Sequence, residues 1–339
     1  MSVTVNRRNV VIGGLAGVAA FGVRPAFALD SVKVAIISRT FFSVPLWVAT
    51  HKGFMKDEGL DVGITILDKS KQVNDLLRNG DVQFTLRSPE ASMIDGYRGG
   101  SFRVVAGIID KLPHFIIAKP SIKTFAQLRG ANFGILAEKE GTTYIVQDIM
   151  KSLGFTRADY KMTVVGGSPA RQRLLKEGKI DVGLQPIPKS YEAEAAGLTN
   201  LGSVIRFVPD WQFTCVNVDE KWASQHRDIV VRFLRGLQRG RDYIESHPDE
   251  SAKVTAGELR TDVALAVRMF GDAKRMGMLN PQSAINVPGI KRVFETLQKS
   301  GSIDADRKFD MKVFADLSYW QESHPAAYTS SIPTSPERK

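Results

Sequence analysis

Two stretches of this chain repeat one another at a fixed offset of 98 residues, and nothing else in the sequence constrains the fold as tightly. The first reads Leu76-Leu77-Arg78-Asn79-Gly80-Asp81-Val82 and runs on to Leu86-Arg87; the second reads Leu174-Leu175-Lys176-Glu177-Gly178-Lys179-Ile180 and runs on to Leu184-Gln185. Each predicts an amphipathic helix stopped by a glycine suited to the left-handed C-cap, with a short strand directly after it. Upstream the match is looser but keeps its order. Residues 32–38 predict a strand, followed by a helix with Pro45 in its first turn and by Gly53-Phe54; residues 132–137 predict a strand, followed by a helix opening near Gly141 and by Gly154-Phe155. Strands over 60–67 and 160–165 complete two β-α-β-α-β units, the pattern of a mostly parallel, doubly wound sheet.

Two such units imply two lobes. In open α/β sheets, ligands bind beyond the carboxyl ends of the strands, where helix N-termini also present free N–H groups, so two lobes facing each other make a cleft. The strand ends of the first lobe place Ser38, Arg39, Thr40 and Phe41 there, followed by Arg87 and Ser88. Those of the second place Glu138, Gly141, Thr142 and Thr143, then residues 166–168, and finally Gln185. After residue 216 helical spacing dominates, over 219–246, 261–276, 290–299 and 312–322, and this part is expected to pack on the first lobe. The polar segment 329–339 holds two prolines and is expected to lie outside the fold.

The amino terminus predicts export. Residues 1–28 hold Arg7-Arg8, an apolar run over 10–23 and the small-residue site Ala26-Phe27-Ala28, in the order of a secretory signal. The run is too short for a spanning helix. Adjacent arginines raise the twin-arginine route, although Asn9-Val10-Val11 fits its consensus only partly. Of the formal charge of +10, Arg7, Arg8 and Arg24 account for +3, leaving +7 on the remainder. Its cations are interspersed with acids along helices instead of forming one face, which argues against nucleic acid as a partner. Cys215 is the only cysteine, so neither an internal disulfide nor a cysteine-based metal cluster can form.

The runs LWVATHKGFMKDEGLDV (46–62), LLRNGDVQF, FAQLRGANFGI (125–135) and LLKEGKIDVGL together resemble the periplasmic solute-binding proteins of ABC importers for nitrate, alkanesulfonates, taurine and thiamine pyrimidine precursors. The resemblance covers about 30–325. It implies the type II binding-protein fold, a ligand held in the inter-lobe cleft, hinge closure, a permease partner in the inner membrane and action as a monomer. The implied division is a signal over 1–28, one lobe from 29–116 and 216–328, a second from 117–215, and crossovers near 115–119 and 212–216. The same family includes a yeast-type pyrimidine synthase that relies on a cysteine-rich iron-binding segment, which one cysteine cannot supply. A sensory binding module is a further alternative.

No G-x-S-x-G elbow, P-loop or H-E-x-x-H helix occurs, so neither a catalytic centre, a metal nor a cofactor is expected. Arg39 and Arg87 at strand ends suit a carboxylate or sulfonate through paired hydrogen bonds, unless either is tied to Glu90, Glu138 or Glu140. His114, before the first crossover, and Trp211 are further wall candidates. With Phe41, Phe42, Phe115 and Phe213 they favour an anion with a flat or apolar body.

Overall fold

A computed structural model describes residue 1 and residues 28–324 apart from 38, 68, 69, 137, 139 and 140. The expected signal, but for its two end residues, and the expected polar tail lie outside the described residues, as do Ser38 and Glu140.

The strands are β1 (Asp30–Ile37), β2 (Leu60–Leu67), β3 (Phe84–Arg87), β4 (Phe102–Ile109), β5 (His114–Ala118), β6 (Asn132–Ile135), β7 (Lys161–Val164), β8 (Val182–Pro186), β9 (Thr199–Ser203) and β10 (Thr214–Asp219). They form two five-stranded sheets, ordered β2-β1-β3-β10-β4 and β7-β6-β8-β5-β9. The 98-residue repeat therefore holds strand by strand: β2, β1, β3 and β4 of one sheet take the places of β7, β6, β8 and β9 in the other. The fourth place in each sheet is filled by a strand that arrives from the other lobe. Both of these, β10 and β5, run antiparallel to their neighbours. Sheets covered on both faces need apolar residues at successive positions, and β1 supplies Val34, Ala35 and Ile36 in sequence, all fully buried.

The first-lobe helices are α1 (Val44–His51), α2 (Phe54–Asp57), α3 (Ser70–Asn79) and α4 (Glu90–Tyr97). Those of the second lobe are α5 (Gly141–Ser152), α6 (Ser168–Lys176) and α7 (Lys189–Ala195). The carboxyl-terminal part adds α8 (Glu220–Ala223), α9 (Arg227–Ser246), α10 (Pro248–Leu259), α11 (Val263–Arg275), α12 (Val287–Lys299) and α13 (Ser318–Ser323). Pro45 opens α1, where a missing N–H costs nothing. Gly80 and Gly178 stop α3 and α6 at φ of 77° and 67°, a conformation glycine adopts without steric penalty. The first-lobe core joins Leu46, Trp47, Phe84, Val216 and Phe233, with Phe84 stacked on Phe233 at 3.9 Å.

Several expectations are corrected. The first crossover lies at residues 110–113, ahead of the expected 115–119, because His114–Ala118 is already strand β5, paired to β8 and β9. The carboxyl-terminal helices do not pack on the first lobe alone: α12 buries Ile290, Val293, Phe294 and Leu297 in a cluster that joins Met93 and Val104 of the first lobe to Phe133, Ile145 and Leu184 of the second. The helix expected over 312–322 is interrupted, since Asp310 caps a single tight turn at Met311–Val313 and α13 begins only at Ser318. Finally, α10 forms where the apolar spacing is too weak to announce it. No helix among the described residues is long and apolar enough to cross a membrane.

Candidate functional site

Between the lobes lies a cavity of about 270 Å³. The first lobe contributes Ile37, Thr40, Phe42, Ser43, Leu86, Arg87, Ser88, Glu90 and Leu112. The second contributes His114, Leu136, Gly141, Thr142, Ile145, Gly167, Ser168, Arg171 and Pro186, and the second crossover adds Trp211, Phe213 and Thr214. Its position beyond the ends of β3, β6 and β8 is the one that two facing doubly wound sheets create.

Two guanidinium groups line it, one from each lobe. Arg87 ends β3 and donates through Nη1 to Oδ1 of Asn74 on α3, which fixes its direction. Burial pulls its pKa below the ordinary arginine value, and the nearby Glu90 carboxylate opposes that fall. Arg171 belongs to α6 and is 5% exposed. Its guanidinium donates to Ser168 Oγ at 3.0 Å and to the Gly166 carbonyl at 3.4 Å. The stem of Arg171 rests on the sheet below, over glycines of β6 and β8: a Cβ on Gly134 would stand 3.6 Å from Arg171 Cγ and 2.4 Å from Ile180 Cδ1, and one on Gly183 would stand 3.5 Å from Arg171 Cδ. At the equivalent places of the first lobe stand Val73, Ala35 and Thr85, all fully buried. The exchange of an apolar residue for arginine between the repeats thus converts a core position into a charged wall of the cavity.

Glu90 supplies the opposing charge. Its Oε1 lies 3.3 Å from where a Cβ on Gly141 would stand, with Trp211 at 3.7 Å, so a side chain in the first turn of α5 would press on the Glu90 carboxylate. Against two arginines this single carboxylate leaves the lining with net positive charge. On the aromatic side Phe42 meets Phe213 edge-on at 4.7 Å, and Phe213 meets His114 at 5.6 Å. Burial, reinforced by the Arg171 charge, holds the His114 imidazole down to about pKa 3, so it is neutral at any physiological pH.

Of the residues expected at the cleft, Thr40, Arg87, Ser88, His114, Gly141, Thr142 and Trp211 line the cavity. Others do not. Arg39 turns outward to α10, where its Nη1 donates to Glu258 Oε2 at 2.5 Å and to the Glu258 carbonyl at 3.2 Å. Phe41 is fully buried against Phe270, leaving its neighbour Phe42 as the wall residue. Thr143 is buried on the inner side of α5, and Glu138 is exposed in the turn before it. Gln185 is fully buried beneath α6, where its amide donates to the Ser168 carbonyl at 3.2 Å and so props the helix that carries Arg171. Cys215 is buried in β10 and does not reach the cavity. Arg171, Glu90 and Phe42 also line it.

Two α/β lobes exchanging one strand each around a shared cavity define a periplasmic binding protein fold. Solved structures share it: the nitrate-binding protein NrtA of Synechocystis PCC 6803 superposes with a TM-score of 0.73 at 13% identity, over 91% of this chain and 92% of that one. The aliphatic sulphonate-binding protein SsuA of Escherichia coli superposes with a TM-score of 0.68 at 13% identity, over 87% and 99%. The chain belongs to the NMT1/THI5-like family, whose model matches residues 41–251. Among its relatives, YtlA of Bacillus subtilis is 23% identical over 303 residues, 81% of this chain and 85% of that protein. The 4-amino-5-hydroxymethyl-2-methylpyrimidine phosphate synthase of Candida albicans is 23% identical over 227 residues, 62% of this chain and 66%, just under two thirds, of that protein.

Proposed function

We propose that this protein is an exported solute-binding component of an ABC importer that closes on one small organic anion, a carboxylate or sulfonate with an apolar or aromatic body. The observation carrying this reading is that Arg87 and Arg171, on opposite lobes, line the same buried cavity. A cation on each wall gives an anion a reason to draw the walls together, since a buried guanidinium favours a paired oxyanion over an empty, poorly hydrated space. Phe42, Phe213, Trp211 and Leu136 give the ligand an apolar body to match. A cavity of about 270 Å³ fits a compact acid better than a large solute. The catalytic alternative in the same family, a synthase that relies on a cysteine-rich iron-binding segment, is disfavoured by a sequence whose one cysteine, Cys215, is buried in β10 with its pKa driven well above the ordinary value.

A thermal-shift screen tests the proposal. A ligand at one hundred times its dissociation constant stabilises by about 2.7 kcal/mol, which for lobes of this size raises the melting point by roughly 5–10 °C. Aromatic and aliphatic acids should produce such shifts. Shifts produced only by neutral pyrimidines or sugars would overturn it.

A further inference from the structure

His114 lines the cavity with its imidazole almost wholly buried. It is 5% exposed, and its Nδ1 is sealed from solvent without a hydrogen-bond partner. Because Nδ1 is closed off, the imidazole meets the cavity through Nε2. A neutral imidazole carries one proton, and a sealed lone pair is tolerated better than a sealed N–H, so the proton belongs on Nε2. The side chain thereby presents an uncharged N–H donor to the cavity, and the Phe213 ring, edge-on at 5.6 Å, limits its rotation.

The acid head does not require this donor. Two guanidinium groups already offer more N–H groups than the oxygens of a carboxylate can accept. His114 also stands at the start of β5, on a different element from either arginine. We propose that His114 is a specificity-determining residue that donates from Nε2 to a second, uncharged acceptor on the ligand, such as a ring nitrogen or a carbonyl oxygen, so that the substrate class is a heteroaromatic or carbonyl-bearing acid. This rests on the organic-anion reading of the same cavity.

Calorimetry at pH 7.5 with benzoate and the three isomeric pyridinecarboxylates tests it, because these probes share charge and outline and differ in one acceptor atom. At least one pyridine acid should bind the wild-type protein about tenfold or more tighter than benzoate, the scale set by a buried donor left unpaired. His114→Phe should bring that ratio near one while benzoate still binds. Benzoate binding without any pyridine preference, or a preference that survives His114→Phe, overturns the proposal alone; no binding of any acid overturns the anion reading with it. Nitrogen-15 shifts of histidine-labelled wild-type protein give a second readout that needs no variant. His114 should be a neutral Nε2–H tautomer from pH 5 to 8, and an imidazolium or an Nδ1–H tautomer there contradicts the proposal.

Discussion

Replacing Arg171 by methionine keeps the stem that covers Gly134 and Gly183 and removes only the charge, so binding and folding effects separate at this position. Losing one member of a buried charge-assisted pair typically costs about 2–5 kcal/mol, so Arg171→Met and Arg87→Ala should each weaken an acid ligand by roughly thirtyfold to several thousandfold in calorimetry. Arg39→Ala, which breaks an ion pair with Glu258 outside the cavity, should leave affinity within about twofold. A large loss there would return Arg39 to the site. Asp110, at the first crossover, makes a different prediction. Burial drives its carboxyl up to about pKa 6, against the acceptor bonds it makes to Asn280 and Gln212. The native state thus holds its proton to higher pH than the unfolded chain does, and the stability this confers is present below about pH 4 and lost as pH rises through 6. Asp110→Asn should raise the melting point more at pH 7.5 than at pH 5 in scanning calorimetry; equal shifts at both would sink the assignment. How far such residues were legible in the sequence varies for physical reasons. Arg87 announces itself because a strand end points beyond its sheet. Arg171 sits inside a helix, where a charged residue ordinarily reads as solvated, and only its place 98 residues after the buried Val73 betrays it.

At the scale of elements, the repeat made three strands of each sheet legible, β1 to β3 and β6 to β8, because a helix, a left-handed glycine and a buried strand each carry a local signature, whereas β4, β5 and β9 stood outside it. What it concealed was tertiary. Helix α10 lacks a pronounced apolar stripe, and with α10 unseen the partner of Arg39 was unseen as well, which is why that arginine reads as a cleft residue from sequence alone. The contacts that bridge the lobes are equally long-range. On α7 the Tyr191 hydroxyl donates to the buried Asp272 of α11, and Arg268 of α11 lies 3.9 Å over the Tyr191 ring while pairing with Glu194 at 2.6 Å. On the other flank Asp148 of α5 pairs with Arg292 of α12 at 2.5 Å. Bonds formed only when the lobes meet stabilise the closed state, and their loss lowers apparent affinity by the shift in that equilibrium. Tyr191→Phe deletes one hydroxyl bonded to a charged acceptor, worth about 1.5–3 kcal/mol, and should weaken ligand binding by roughly ten- to a hundredfold, mainly through faster release in stopped-flow. Unchanged release would place Tyr191 among purely structural contacts.

For the whole molecule, two five-stranded lobes exchange one strand each, so the paired crossovers at 110–113 and before β10 are the natural axis about which the cavity opens. An anion entering between Arg87 and Arg171 would then be held by both lobes at once, and its charge, more than its shape, would set how firmly they close. Native mass spectrometry of protein purified from its expressing cells without added ligand tests that claim most directly. The account predicts one acidic small molecule per chain, retained by wild-type protein and absent from the Arg87→Ala, Arg171→Met double variant. A neutral adduct, or an acid that the double variant retains as fully as the wild type, would contradict it.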